Sequence, residues 1–143
     1  MFTRRDISTL VTAVDPCVGY HPSRAIKQFT YGNGVPMSLR AARGIEAAHG
    51  WSVRVVDLRW LVPLNARFIA EQAQSARCIL VVDEGRYSAG VGEGVITAIA
   101  EAGLGGRPLQ RVVGADTYTP LAGAALLVLP GEEDIAAAAA RLA

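Results

Sequence analysis

At 143 residues the chain is long enough for one domain that buries roughly 70% of its unfolded surface and needs no staples. A hydrophobic share of 51%, against 19% charged residues and a net charge of +1, excludes an intrinsically disordered chain and argues against a polyanionic partner such as nucleic acid. No apolar run reaches the ~20 residues that a bilayer span requires, so no membrane role is expected.

Residues 1–25 contain "DPCVGYHPSR", with two prolines, a glycine and no periodicity, and are expected to form a linker or extended arm. Residues 26–143 are expected to form the domain. "AIKQFTY" is a candidate strand, "GNG" a turn, and "PMSLRAARGIEAAHG" a helix opened by Pro36 and closed by Gly50, with Leu39, Ala42, Ile45 and Ala48 as its apolar stripe. "SVRVVDLR" is the next strand, and Asn65 is placed to cap a helix over "ARFIAEQAQSA". "RCILVVDE" is a continuous apolar run of the kind buried on both faces of a parallel sheet. A helix from about Val91 to Ala102 follows, with Val91, Val95, Ala98 and Ala102 on one side and Gly103 as its stop. "LQRVVGAD" is the last strand, and a helix runs from about Glu132 to the end. Strands that alternate with helices imply a mostly parallel sheet covered on both faces.

Few side chains suggest chemistry. Cys78 lies in "CILVV" as a small buried hydrophobe, and Cys17 lies in the irregular stretch, so a reduced, cytoplasmic setting is expected. His49 falls in the last turn of the first helix, where a cation suits the dipole, and His21 has no acid or cysteine at ligand spacing. Lys27 is the one lysine among mostly arginine cations, a bias that reads as G+C-rich codon use.

"VVDEGRYSAGVGEGV", residues 81–95, sets strand, glycines and helix in the order of a phosphate-binding loop. The dinucleotide fingerprint fails, because Gly90 and Gly92 are followed by Val95 at the sixth position; the nucleotide-triphosphate loop fails for want of a lysine and Ser/Thr after its last glycine. Asp83, Glu84 and Glu93 would repel a bound phosphate. The remaining reading is that glycines allow a neighbouring backbone, from another domain or subunit, to approach closely.

Taken in order, "TYGNGVPMSLRAA", "VRVVDLRWLVPLN", "ILVVDEGRYSAGVGEGV" and "RVVGADTYTPLAGAALLVLPGEEDI" resemble successive blocks of the transketolase C-terminal domain family. The similarity is to the beta-type half of the thiamine-diphosphate-dependent dehydrogenase component of 2-oxo acid dehydrogenase complexes (pyruvate and branched-chain types). That resemblance implies a three-layer α/β/α sandwich around a five-stranded, mostly parallel sheet with one antiparallel edge strand. It implies a domain that assembles rather than catalyses, with thiamine diphosphate and magnesium held in the full enzyme by domains whose Gly-Asp-Gly motif has no counterpart here. No catalytic, cofactor-binding or metal residue is therefore expected in this chain.

The same resemblance implies a packing loop of Asp83, Glu84, Gly85, Gly90 and Gly92, and places Asp57 and Arg59 at a strand end as a buried ion pair or interface contact. Glu132, Glu133 and Asp134 are candidates for docking a basic partner, such as the acyltransferase core. The other partners implied are further copies of the chain, or companion thiamine-binding domains or a subunit carrying them. Two alternatives stay open: a free-standing interaction module without chemistry, and a flavodoxin-like small-molecule binder using the cleft above "DEGRYSAG".

Overall fold

A computed structural model describes residues 12–14 and 25–142. The arm expected over 1–25, with Cys17 and His21, lies outside the described residues except for Thr12–Val14, which form strand β1, and Ala25, which opens β2. The order continues β2 (Ala25–Thr30), α1 (Gly34–His49), β3 (Ser52–Asp57), α2 (Ala66–Gln74), β4 (Cys78–Arg86), α3 (Val91–Glu101), β5 (Leu109–Gly114), a 3₁₀ turn (Ala122–Leu127) and α4 (Glu132–Ala140).

The strands lie in the order β1-β3-β2-β4-β5. The body of the sheet, β3-β2-β4-β5, is parallel throughout, and β1 runs antiparallel along the outer side of β3. Period-2 alternation then sorts the layers. Ile26, Val53, Val55, Cys78, Leu80 and Val82 face α1 and α4, packing with Met37, Ile45, Ile135 and Ala138. Phe29, Val56, Ile79 and Val81 face α2 and α3, packing with Ile69, Ala73, Val95 and Ile99. The α/β/α sandwich expected from the sequence is the architecture found, and because β2 and β4 are covered on both faces, their sequences read as near-continuous buried runs.

Local chemistry explains the element ends. Asn65 Oδ1 accepts from the Phe68 amide at 3.1 Å and caps α2 as expected. Gly50 ends α1 with φ 64°, and Gly103 follows α3 with φ 77°, both in the left-handed region open to glycine. Arg107 donates to the carbonyls of Ala76 and of Gln74, the latter at 2.9 Å, closing the end of α2 with a cation.

Two apolar stripes are rotated from the sequence reading. In α1, Ala48 is exposed and the inward face is Gly34, Met37, Ser38, Ala41, Ala42 and Ile45, with Leu39 half-buried. In α3, Val91 is half-buried and Gly92, Val95, Ala98 and Ile99 are buried, while Ala102, just past its end, is exposed. Small or polar residues hold inward positions in both, and an apolar-only stripe passes over them. Ser38 is one: its Oγ accepts from Gln28 Nε2 at 2.7 Å and ties α1 to the central strand. Lys27 is also fully buried in that strand, a placement its charge does not suggest.

Candidate functional site

Because the four long strands are parallel, their C-terminal ends share one edge. That edge carries Asp57 at the end of β3 with Arg59 just past it, and the stretch from Asp83 to Gly92 around the end of β4. The chain leaves β2 for β3 on one side and β4 for β5 on the other, so the sheet has its topological switch point between β2 and β4, where open α/β sheets admit ligands.

Here that crevice is stitched shut. Tyr31 Oη, just past β2, donates to Asp83 Oδ1 at 2.5 Å, and Asn33 Nδ2 donates to Glu84 Oε1 at 3.0 Å. Asp83 is only 1% exposed. Its Oδ1 also accepts from the Gly85 amide at 2.7 Å, and its Oδ2 accepts from the Gly92 amide, in the first turn of α3, at 2.6 Å. A carboxylate of the chain itself thus occupies the anion position at the helix N-terminus. Burial, reinforced by the bond to Asp83, drives the Tyr31 hydroxyl well above the usual tyrosine pKa. The β4–β5 register shifts between Asp83 and Arg86, a bulge that turns the strand end into the loop.

The glycines answer to the same carboxylate. A Cβ on Gly85 would lie 2.8 Å from Asp83 Oδ1, and one on Gly90 would lie 2.5 Å from Oδ2 and 2.9 Å from the Arg86 carbonyl. A Cβ on Gly92 would sit 3.1 Å from Oδ2. Within this chain, the approach that these glycines permit is to the Asp83 carboxylate and, at Gly90, to the Arg86 carbonyl.

Asp57 and Arg59 do pair, Arg59 Nε donating to Asp57 Oδ2 at 3.1 Å and the Arg59 amide to Oδ1 at 3.1 Å. The pair is only half buried: the Arg59 side chain is 57% exposed and that of Asp57 15%, and Arg59 has a left-handed backbone with φ 50°. Next along the edge, Ser88 donates through Oγ to Asp116 Oδ2 at 2.7 Å, and that bond holds the Asp116 carboxyl below its usual pKa. Arg111 stacks 4.4 Å over Tyr87 and lies 3.5 Å from Glu93. Elsewhere, Glu132 accepts from Arg40 at 2.6 Å, Asp134 accepts from the Gly131 amide at 2.8 Å, and Glu133 is exposed beside them.

Sequence reasoning missed the apolar character of this edge. Among the described residues, the exposed large hydrophobics are Val62, Tyr87, Tyr118, Leu121, Leu126 and Leu127. All six lie on segments that leave the C-terminal ends of β3, β4 or β5. Among the described residues, those other than glycine with positive φ, Arg59, Ala89 and Ala122, lie on the same three segments. Exposed apolar surface and left-handed backbone thus fall on the same segments, those leaving the C-terminal ends of the parallel strands. The signal was present in "LAGAALLVLPG", which is apolar but fits neither the helical nor the strand period.

Among the described residues, no group of three His, Cys, Asp or Glu could hold a metal ion, and no helix is long and apolar enough to cross a membrane.

Comparison with known proteins gives one family. The family model described as "Transketolase, C-terminal domain" matches residues 23–134. The pyruvate dehydrogenase E1 component subunit beta of Staphylococcus aureus is 35% identical over 112 residues, which are 77% of this chain and 34% of that protein. The 3-methyl-2-oxobutanoate dehydrogenase subunit beta of Mycobacterium tuberculosis is 40% identical over 107 residues, 73% of this chain and 30% of that one. The chain thus spans about a third of the length of these relatives. A solved structure titled "Split gene transketolase, inactive beta4 tetramer" superposes with a TM-score of 0.70 at 24% identity, over 84% of this chain and 38% of that one, a likeness of fold.

Proposed function

The chain belongs to the transketolase C-terminal domain family, and from that premise we propose that it is the assembly domain of a thiamine-diphosphate-dependent 2-oxo acid dehydrogenase component. On this reading, companion domains or subunits hold the cofactor and carry out the oxidative decarboxylation. The observation that carries the proposal is the apolar C-terminal edge, where Tyr118, Leu121, Leu126 and Leu127 are each 80–90% exposed. Leaving such side chains in water costs more than burying them against a partner.

The residues present do not fit thiamine diphosphate. A diphosphate at the switch point would need the amide donors of Gly85 and Gly92, and Asp83 engages both. Its magnesium would need several converging oxygen ligands, and the described residues supply no such group. The closed crevice likewise weighs against a flavodoxin-like binder.

The edge, with Asp57, Arg59 and the loop from Asp83 to Gly92, is the proposed packing surface toward a second copy or a companion subunit. The structurally similar split-gene chain is described as a tetramer of beta chains and as inactive, which favours a homo-oligomer that is inert by itself. For a basic partner such as an acyltransferase core, the start of α4 is the proposed docking point. Glu133 faces it most directly, since Glu132 is paired with Arg40 and Asp134 caps its own helix.

Sedimentation equilibrium and calorimetry test this reading. The chain is expected to self-associate, or to bind a companion thiamine-binding subunit, and to give no heat with thiamine diphosphate and magnesium. A chain that stays monomeric and partnerless would overturn the assembly role, and micromolar cofactor binding would overturn the division of labour.

A further inference from the structure

The contacts of Asp83 go further than closing a crevice. Its carboxylate accepts from Tyr31 Oη, the Gly85 amide and the Gly92 amide, which come from the end of β2, the bulge of β4 and the first turn of α3. Three donors from three elements converge on two oxygens; Gly85 and Gly90 lack the Cβ that would collide with them, and Gly92 lacks one that would crowd them. Such a shell is shaped for a small planar anion, and charge-assisted bonds of this length are among the stronger ones. Gly90 N-caps α3 without a side-chain bond, so the Asp83 carboxylate supplies the acceptor that a capping residue would otherwise bring.

We infer that Asp83 acts as a built-in anionic ligand: a carboxylate supplied by the chain fills the anion position of the switch point, sets the course of the β4–α3 loop, and denies that position to outside ligands. Asp83 is on this account a positioning residue. It holds Tyr31, the bulge and the start of α3 in the arrangement from which Arg86, Tyr87 and Ser88 are displayed at the edge. The shell recognises a carboxylate of minimal size, so truncating Asp83 leaves a place that free formate matches in shape and charge.

The test is chemical rescue of Asp83→Ala, followed by thermal unfolding. The variant is expected to melt on the order of 10 °C lower than the parent. Sodium formate should restore several degrees in a saturable way, whereas sodium chloride at equal ionic strength should not. The parent chain should gain no formate-specific increment. Asp83→Asn keeps the volume but turns one acceptor into a donor facing a donor, so it should be destabilised and should not respond to formate. If Asp83→Ala does not fold at room temperature, its refolding yield in formate against chloride is the readout, and only a formate-dependent yield supports the inference. Equal responses to the two salts, or an Asn variant as stable as the parent, would overturn it. Unfolding reads the anion and sedimentation reads the assembly, so failure of one leaves the other standing.

Discussion

Tyr31 gives its hydroxyl hydrogen to a carboxylate that is almost closed off from solvent. Ionising the phenol there would set two negative charges side by side in a desolvated place, which is why its pKa is raised. The sign of the linkage follows. A tyrosine whose folded pKa exceeds the unfolded value of about 10 holds its proton more tightly in the fold. The resulting stability is complete below pH 10 and is lost as pH rises through the folded pKa. The difference in denaturant stability between the parent and Tyr31→Phe is therefore expected to be constant up to about pH 10 and to shrink above it. A difference that stays flat through strongly alkaline pH would mean that the phenol and Asp83 are not coupled. In the sequence Tyr31 is only the last residue of a strand, because nothing local to "FTY" encodes an acid 52 positions away. Asp83 was legible as an acid at a strand end, while its donors were not.

At the scale of elements, the glycines separate into two kinds that composition cannot distinguish. Gly44 lies inside α1, and a Cβ there would meet nothing within 4 Å. Gly44→Ala should therefore stabilise the chain by about 0.5–1 kcal/mol, through a less flexible unfolded state and better helix propensity. Gly90 has an ordinary extended backbone, φ −81° and ψ 163°, which alanine adopts freely. Packing alone forbids a side chain there, since the Cβ would press on Asp83 Oδ2 and on the Arg86 carbonyl. Gly90→Ala should cost roughly 1–3 kcal/mol, as overpacking does. Urea titration of the two variants checks both signs, and a neutral Gly90→Ala would show that the loop gives way without cost. The rotated stripes of α1 and α3 have a related cause: Gly34, Ser38 and Gly92 are buried because a strand passes close by, and apolar periodicity does not register them.

The whole molecule is polarised. Two apolar cores lie on either side of the sheet, and the exposed large hydrophobics among the described residues lie on segments that leave the edge where the parallel strands end. If that edge is an interface, Leu121→Asp combined with Leu127→Asp should shift the chain toward monomer in sedimentation equilibrium. The melting temperature of the monomer should change little, because side chains 90% and 86% exposed contribute little to the fold. Unchanged association would move the interface elsewhere, with the acidic start of α4 the next surface to examine.

What the sequence determined by itself was the architecture and the family. Alternating apolar runs and capped amphipathic segments dictate a covered parallel sheet, and four ordered blocks from Thr30 onward carry the resemblance that the family match repeats. It also excluded a phosphate loop, since that motif depends on residue types at short spacing. Tertiary structure alone decided what the glycine loop encloses, that Lys27 is buried, that the Arg59 side chain is largely exposed, and that the apolar segments after β3, β4 and β5 leave the same edge. The Asp83 contacts and the shared edge join strand ends far apart in the chain. Parallel pairing through helical crossovers brings them together, and no local pattern records which partners will face one another.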